Sequence, residues 1–172
     1  MKVRVEKWSL GIFLLVAIGM VALLVVRWAL DPADPSIEIA DASEALRTVT
    51  LHEIRSYPSV ERRGSYQNQF GNWSDDALYV GALLGDLLRE PYDRIEVVAS
   101  DGYRVSIDRT RIEDLDYPMV LAYCVDGRCV PDLEEGFRIA VLPEDGAVSN
   151  EEYGVESAGS YWVRDVVRLE LE

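Results

Sequence analysis

Two cysteines are the residues with the clearest chemistry, and their spacing says what it is. They stand in Cys124-Val125-Asp126-Gly127-Arg128-Cys129. Asp-Gly is the strongest two-residue hairpin signal. With Asp126 and Gly127 as the loop, Val125 faces Arg128 and Cys124 faces Cys129. Opposed residues share one face of a ribbon about 4.5–5.5 Å apart, within disulfide reach. A cross-strand disulfide is expected, in preference to two free thiols. A metal site is disfavoured because two cysteines are half of a tetrahedral set. The sole histidine, His52, is far away in sequence. Thr50-Leu51-His52-Glu53 has capping-box spacing, so His52 falls in the first turn of a surface helix that must end before Pro58. That position is read as structural rather than functional. No P-loop, G-x-S-x-G or H-E-x-x-H pattern is present. Residues 31–172 hold 30 Asp and Glu, so no carboxylate pair stands out as a general acid and base.

The elements that position the hairpin can be followed along the chain. Ser36–Ala40 alternates weakly as a first strand. Val60–Phe70 is basic at its start, with Arg62 and Arg63 adjacent, and reads as strand or ordered loop. Ala82–Leu88, behind Tyr79-Val80-Gly81, has an apolar stripe at helical spacing and is expected to form a helix that stops near Pro91. Ile95–Ala99 and Tyr103–Ile107 flank Asp101-Gly102 as a second hairpin. Arg109–Leu115 reads as a helical turn, Met119–Cys124 and Cys129–Pro131 as the disulfide hairpin, and Arg138–Leu142 as a buried strand ended by Pro143. Glu144–Ser160 reads as a long polar loop. Tyr161–Leu171 closes the domain as a strand with Trp162, Val166 and Leu169 in the core. No repeat is visible. The sum is a strand-rich α+β domain with two or three short helices.

The N-terminus carries a different signal. Trp8–Val26 is nineteen uncharged, mostly apolar residues, enough for a helix to cross a hydrocarbon core of roughly 30 Å. Lys2, Arg4 and Lys7 precede it, which puts the N-terminus in the cytoplasm, and Trp8 and Trp28 stand at its two ends. A cleaved signal peptide would have a shorter apolar region and a small-x-small site; Arg27-Trp28-Ala29-Leu30-Asp31 offers none. The expected organisation is a cytoplasmic stretch over 1–7, a transmembrane helix over 8–30, a stiff Asp/Pro linker over 31–36 and an extracytoplasmic domain over 37–172. The chain's net charge is −14; residues 1–30 carry +3 and the remainder −17. That excludes nucleic acid and disfavours anionic lipid surfaces as partners, and reads as a solubility adaptation, for instance to a salty environment.

Five segments in order resemble the molybdopterin-binding domain of the sulfite oxidase family. They are Tyr79–Leu88 ("Y-x-G-V-x-L-x-D-L-L"), Ala99–Tyr103 ("A-S-D-G-Y"), Leu121–Gly127 ("L-A-Y-x-x-N/D-G"), Gly136–Pro143 ("G-x-x-R-L-V-V-P") and Trp162–Glu170 ("W-V-K-x-V-x-x-I-E"). The likeness spans about residues 48–171. It implies a sulfite-oxidase-like fold behind the N-terminal helix, and molybdopterin as the family's cofactor. It also implies a cysteine thiolate on molybdenum, from a "C-x-G-N" stretch ahead of the "Y-x-G-V" segment. Here that region, Val60–Trp73, keeps Gly71-Asn72 and has no cysteine; neither a serine hydroxyl nor an amide is an equal substitute for a soft thiolate. If a ligand occupies the family's cofactor groove, Arg62, Arg63, Arg138 and Arg164 are the candidate cations, with Asn68 as a polar orienter. The competing reading pairs Arg138 and Arg164 with nearby acids. The expectation is therefore a membrane-anchored binding or interaction module with no catalytic residue and no cofactor, acting on a protein partner or a small anionic ligand. The alternative is a molybdopterin-dependent oxidoreductase of a small oxyanion or sulfoxide.

Overall fold

The computed structural model describes residues 34–41 and 44–172. The transmembrane helix expected over 8–30 and the cytoplasmic stretch before it lie outside the described residues. Among the described residues no helix is long and apolar enough to cross a membrane. Asp34–Glu172 forms one compact unit.

In chain order the elements are β1 (Ser36–Asp41), β2 (Glu44–Thr50), α1 (Leu51–Ile54), β3 (Ser59–Tyr66), β4 (Ala77–Leu83), α2 (Leu84–Leu87), β5 (Arg94–Ala99), β6 (Arg104–Asp108), α3 (Arg109–Ile112), β7 (Met119–Val125), β8 (Arg128–Cys129), β9 (Arg138–Val141), β10 (Ala147–Val148), α4 (Asn150–Tyr153), a 3-10 turn (Ala158–Tyr161) and β11 (Val166–Leu171). One sheet runs β2-β1-β11-β5-β6; the other runs β10-β3-β4-β7-β8, with β9 also paired to β7. β1 is parallel to β11, and β11 is antiparallel to β5, with Val166 opposite Ala99. The start of β1, the start of β11 and the β5–β6 turn therefore share one end of the first sheet.

Both sheets feed one apolar core. Period-2 alternation puts Ile37 and Ile39 of β1, Ile95 and Val97 of β5 and Leu169 of β11 inside, as a half-buried strand requires. β7 is buried along Met119–Cys124 because it lies between β4 on one edge and β8 and β9 on the other. Thr50 caps α1, its hydroxyl accepting from the Glu53 amide at 3.2 Å, and His52 is exposed in that turn. The Cys124–Cys129 disulfide is formed between directly opposed residues, with Cα atoms 4.0 Å apart, and Val125 faces Arg128. The second hairpin and the turn after it also form where the sequence places them.

Three segments differ from expectation. Tyr79–Leu83 is strand, and only Leu84–Leu87 is helical. A short run of apolar residues suits a buried strand as well as a helix, and Gly81 decides between them. A Cβ there would stand 2.6 Å from the Ala122 Cα, so this position admits the close approach of β4 to β7. Glu144–Ser160 is not one loop; it holds β10, α4 and the 3-10 turn. Tyr161–Leu171 is strand only from Val166, because the 3-10 turn occupies Tyr161 and Asp165 adopts φ +52 just before the strand. Among the described residues the short helices number four α turns rather than two or three.

Candidate functional site

The residues singled out from sequence fall in three places. Arg62 and Arg63 are neighbours on β3 and so point to opposite faces. Arg62 Nη1 donates to the Leu142 carbonyl at 3.0 Å. Arg63 donates from Nε to the Asp76 carboxylate at 2.5 Å and from Nη2 to the Asp76 carbonyl at 3.1 Å. Its hydrogen bond to Asp76 raises its pKa further above the ordinary arginine value.

Arg138 and Arg164 are brought together, and what joins them is Glu135. One Glu135 oxygen accepts from Arg138 Nη2, the other from Arg164 Nη1 at 2.6 Å. The Arg138 side chain is 12% exposed and that of Arg164 63% exposed, so the carboxylate bridges an inner and an outer cation. The Glu135 hydrogen bond raises the Arg164 pKa. Arg138 also reaches the Tyr79 hydroxyl at 3.4 Å. Burial pushes the Tyr79 phenol up, opposed by the Arg138 charge, and the group stays neutral through the physiological range. The Trp162 indole is buried, its ring centroid 4.8 Å from that of Tyr66. Arg138 Nε and Trp162 Nε1 are buried donors without an acceptor.

Asn68 heads a separate loop. Its Oδ1 accepts from the amides of Phe70 at 2.9 Å and Asn72 at 3.1 Å, the two-residue local pattern typical of asparagine in turns. Its carbonyl accepts from Asn150 Nδ2 at 2.8 Å. Its side chain therefore orders the backbone of this loop.

Of the five candidate residues, Arg164 alone lines a shallow cavity of ≈ 250 Å³, together with Ala99, Asp101, Tyr103, Gly159, Trp162 and Val163. Arg164 is its cation and Asp101 its carboxylate, so it presents mixed charge rather than an anion cradle. The residues that matter here and were not singled out from sequence are Glu135, Tyr79, Tyr103 and Trp162 as a polar group. Nothing separates Glu135 from its many acidic neighbours in sequence; only the fold sets it between two arginines.

No family model matches the chain, and no curated protein matches it. Among solved structures the fold is similar to the crystal structure of the sulfane dehydrogenase SoxCD from Paracoccus pantotrophus, with a TM-score of 0.56 and 15% identity over 80% of this chain. The chain spans 38% of the length of that neighbour. At this identity the likeness is one of fold. The strand-rich mixed sheets fit the sulfite-oxidase-like architecture that the five sequence segments imply.

Proposed function

We propose, taking the distant fold relation as premise, that the chain is a single-pass membrane protein whose extracytoplasmic domain uses a sulfite-oxidase-like fold as a binding and interaction module rather than as a molybdopterin enzyme. The N-terminal apolar run supports the anchor, and the basic residues before it support a cytoplasmic N-terminus. What the module binds is a protein partner; a small anionic ligand would have to compete with the acids that already hold the candidate cations.

The observation that carries this reading is the state of the sulfurs. The chain has two cysteines, and they are bonded to each other across β7 and β8. The resemblance implies a protein thiolate on molybdenum, and both sulfurs of this chain are committed to another bond. The candidate cations are committed as well: Arg138 and Arg164 to Glu135, Arg63 to Asp76 and Arg62 to a backbone carbonyl. A cofactor phosphate would have to displace these partners to gain charge-assisted hydrogen bonds. The residues present do not fit molybdopterin.

The test is metal analysis of the full chain, purified in detergent from a host that synthesises the cofactor. Molybdenum well below one atom per chain is the expected result. Stoichiometric molybdenum with an extractable pterin would overturn the reading and restore an oxidoreductase.

A further inference from the structure

Four exposed apolar side chains gather at one end of the domain. Phe70 is 78% exposed, Trp73 51%, Tyr103 46% and Val167 41%. Val167 is the second residue of β11 and Tyr103 closes the β5–β6 turn, so both belong to the end of the first sheet where β1 begins. The 3-10 turn extends this end to the Phe70 loop: the Tyr103 hydroxyl donates to the Ser160 carbonyl at 3.3 Å, and the Gly159 amide donates to the Gln67 carbonyl at 3.0 Å.

Phe70 is held outward by a built loop. The two Asn68 Oδ1 bonds are joined by Asn68 N–H to the Asn72 carbonyl at 2.9 Å, Gly71 N–H to the Asn68 carbonyl at 2.9 Å, and Asn150 N–H to Gln67 Oε1 at 3.0 Å. Gly71 sits at φ +78 to close the turn. A loop with its polar groups this fully engaged keeps an aromatic ring in water only at a cost, and clustered exposed apolar groups of this kind mark an interaction surface.

We propose that this end of the domain inserts Phe70 and Trp73 into the headgroup zone of an electrically neutral lipid bilayer, the membrane in which the chain is anchored. The inference rests on the anchored reading above. Three observations select the bilayer. The chain enters the domain at this end: Pro35 accepts from the Leu51 amide at 2.7 Å just before β1. In sequence nine residues separate the apolar run's last residue, Val26, from Ser36, a reach of roughly 35 Å at full extension. Trp and Tyr are the side chains that favour the membrane–water interface, and Phe on a polar frame inserts there too. Four carboxylates of this end already have partners: Asp165 with Ser100, Asp76 with Arg63, Glu135 with Arg138 and Arg164, and Asp101 with the Tyr103 amide, whereas Asp75, two residues from Trp73, is exposed. The four partnered groups therefore tolerate a drier setting, while exposed Asp75 and the acidic remainder of the chain select neutral over anionic headgroups.

Because both native cysteines are oxidised, one introduced cysteine can be labelled selectively. F70C and L115C, each carrying an environment-sensitive nitrobenzoxadiazole group, are compared in the full chain in phosphatidylcholine nanodiscs. Leu115 is 86% exposed and follows α3, beyond the far end of β6. The expected result is a blue-shifted label at position 70 with iodide quenching reduced several-fold, and a label at 115 that quenches freely. If the chain co-elutes with nanodiscs but both labels quench alike, the inference falls and the anchor stands. If the chain does not enter nanodiscs, the anchored reading falls and takes the inference with it. Protection at both positions reports aggregation and overturns it. So does protection at 70 that grows with protein concentration in detergent without lipid, because a second copy would then be the occupant.

Discussion

Glu135 sits between one nearly buried arginine and one exposed arginine, so removing its charge tests whether the site's cations are structural. In E135Q the Arg138 guanidinium, 12% exposed, loses its countercharge. Hydrogen bonds to charged groups contribute about 1.5–3 kcal/mol, and urea denaturation should register a loss of that order. The same variant should gain stabilisation from sulfate over chloride at matched ionic strength, since two cations are released together; a thermal shift equal to that of the parent would mean Arg138 finds another partner. Glu170 makes a pH-dependent counterpart. Burial pushes its carboxyl up, but hydrogen bonds from Arg104 and Arg168 outweigh this and its pKa lies below the ordinary value. A depressed carboxylate stabilises the fold above its unfolded pKa, about 4.3, and that contribution is lost as pH falls through the lower folded value. E170Q should therefore be less stable than the parent near neutrality, with the two stability curves converging below about pH 4. A constant gap across the titration would assign the effect to packing instead.

The disulfide hairpin and the β4–β7 contact carry the predictions at the scale of elements. The disulfide closes a loop with a sequence separation of five, so the chain-entropy estimate for such a short loop is about 2 kcal/mol. Reduction should lower the unfolding free energy by about that amount, read as a lower denaturation midpoint at unchanged slope, while leaving far-ultraviolet circular dichroism unchanged; wholesale unfolding would show that the bond organises more than its hairpin. G81A should cost about 3 kcal/mol, the upper end for overpacking, because the added Cβ meets backbone of Leu121 and Ala122, which cannot rotate away. Gly81 also shows why part of the fold was legible and part was not. The two hairpins, the Thr50 cap and β9 were readable because each has a local cause: Asp-Gly turns, a side-chain cap, a run of buried apolar residues. The split of Tyr79–Leu88 into strand and helix has a tertiary cause, the proximity of β7, which the residues do not carry locally. α4 is a different case. Ser149 and Glu152 form a capping pair, the Ser149 hydroxyl accepting from the Glu152 amide at 3.1 Å, and Gly154 closes the turn at φ +67. That signal lay in the sequence and was masked by the polar composition around it. At the site, Arg138 and Arg164 were legible as candidate cations, and their pairing with nearby acids was legible as the competing reading; that one acid, Glu135, joins both was not, since it lies three residues from Arg138 in sequence but reaches Arg164 only in the fold.

At the scale of the whole molecule, charge sets two effects against each other, and their balance is measurable. The domain's arginines make exposed or half-exposed ion pairs, among them Arg94–Asp108, Arg109–Glu113 and Arg63–Asp76. Pairs of this kind contribute about 0–1 kcal/mol each and weaken as salt rises. Against them stands a net charge of −17 beyond residue 30, whose self-repulsion opposes the compact state. Each arginine pair neutralises one or two acids, and carboxylates outnumber arginines about two to one in this domain, so most of the repulsion remains after every pair is made. Raising the salt shortens the screening length from about 10 Å at 0.1 M to about 3 Å at 1 M. That removes the many longer-range repulsions more completely than the contacts at hydrogen-bond distance. Scanning calorimetry of the full chain should therefore show Tm rising between 0.1 M and 1 M potassium chloride. The rise should be larger for a variant such as R94Q, which gives up a pair and leaves Asp108 unneutralised. A fall in Tm would mean that the ion pairs, and not the excess of acids, dominate the electrostatics of the fold. The acidic surface would then have to be explained by something other than a tolerance for salt.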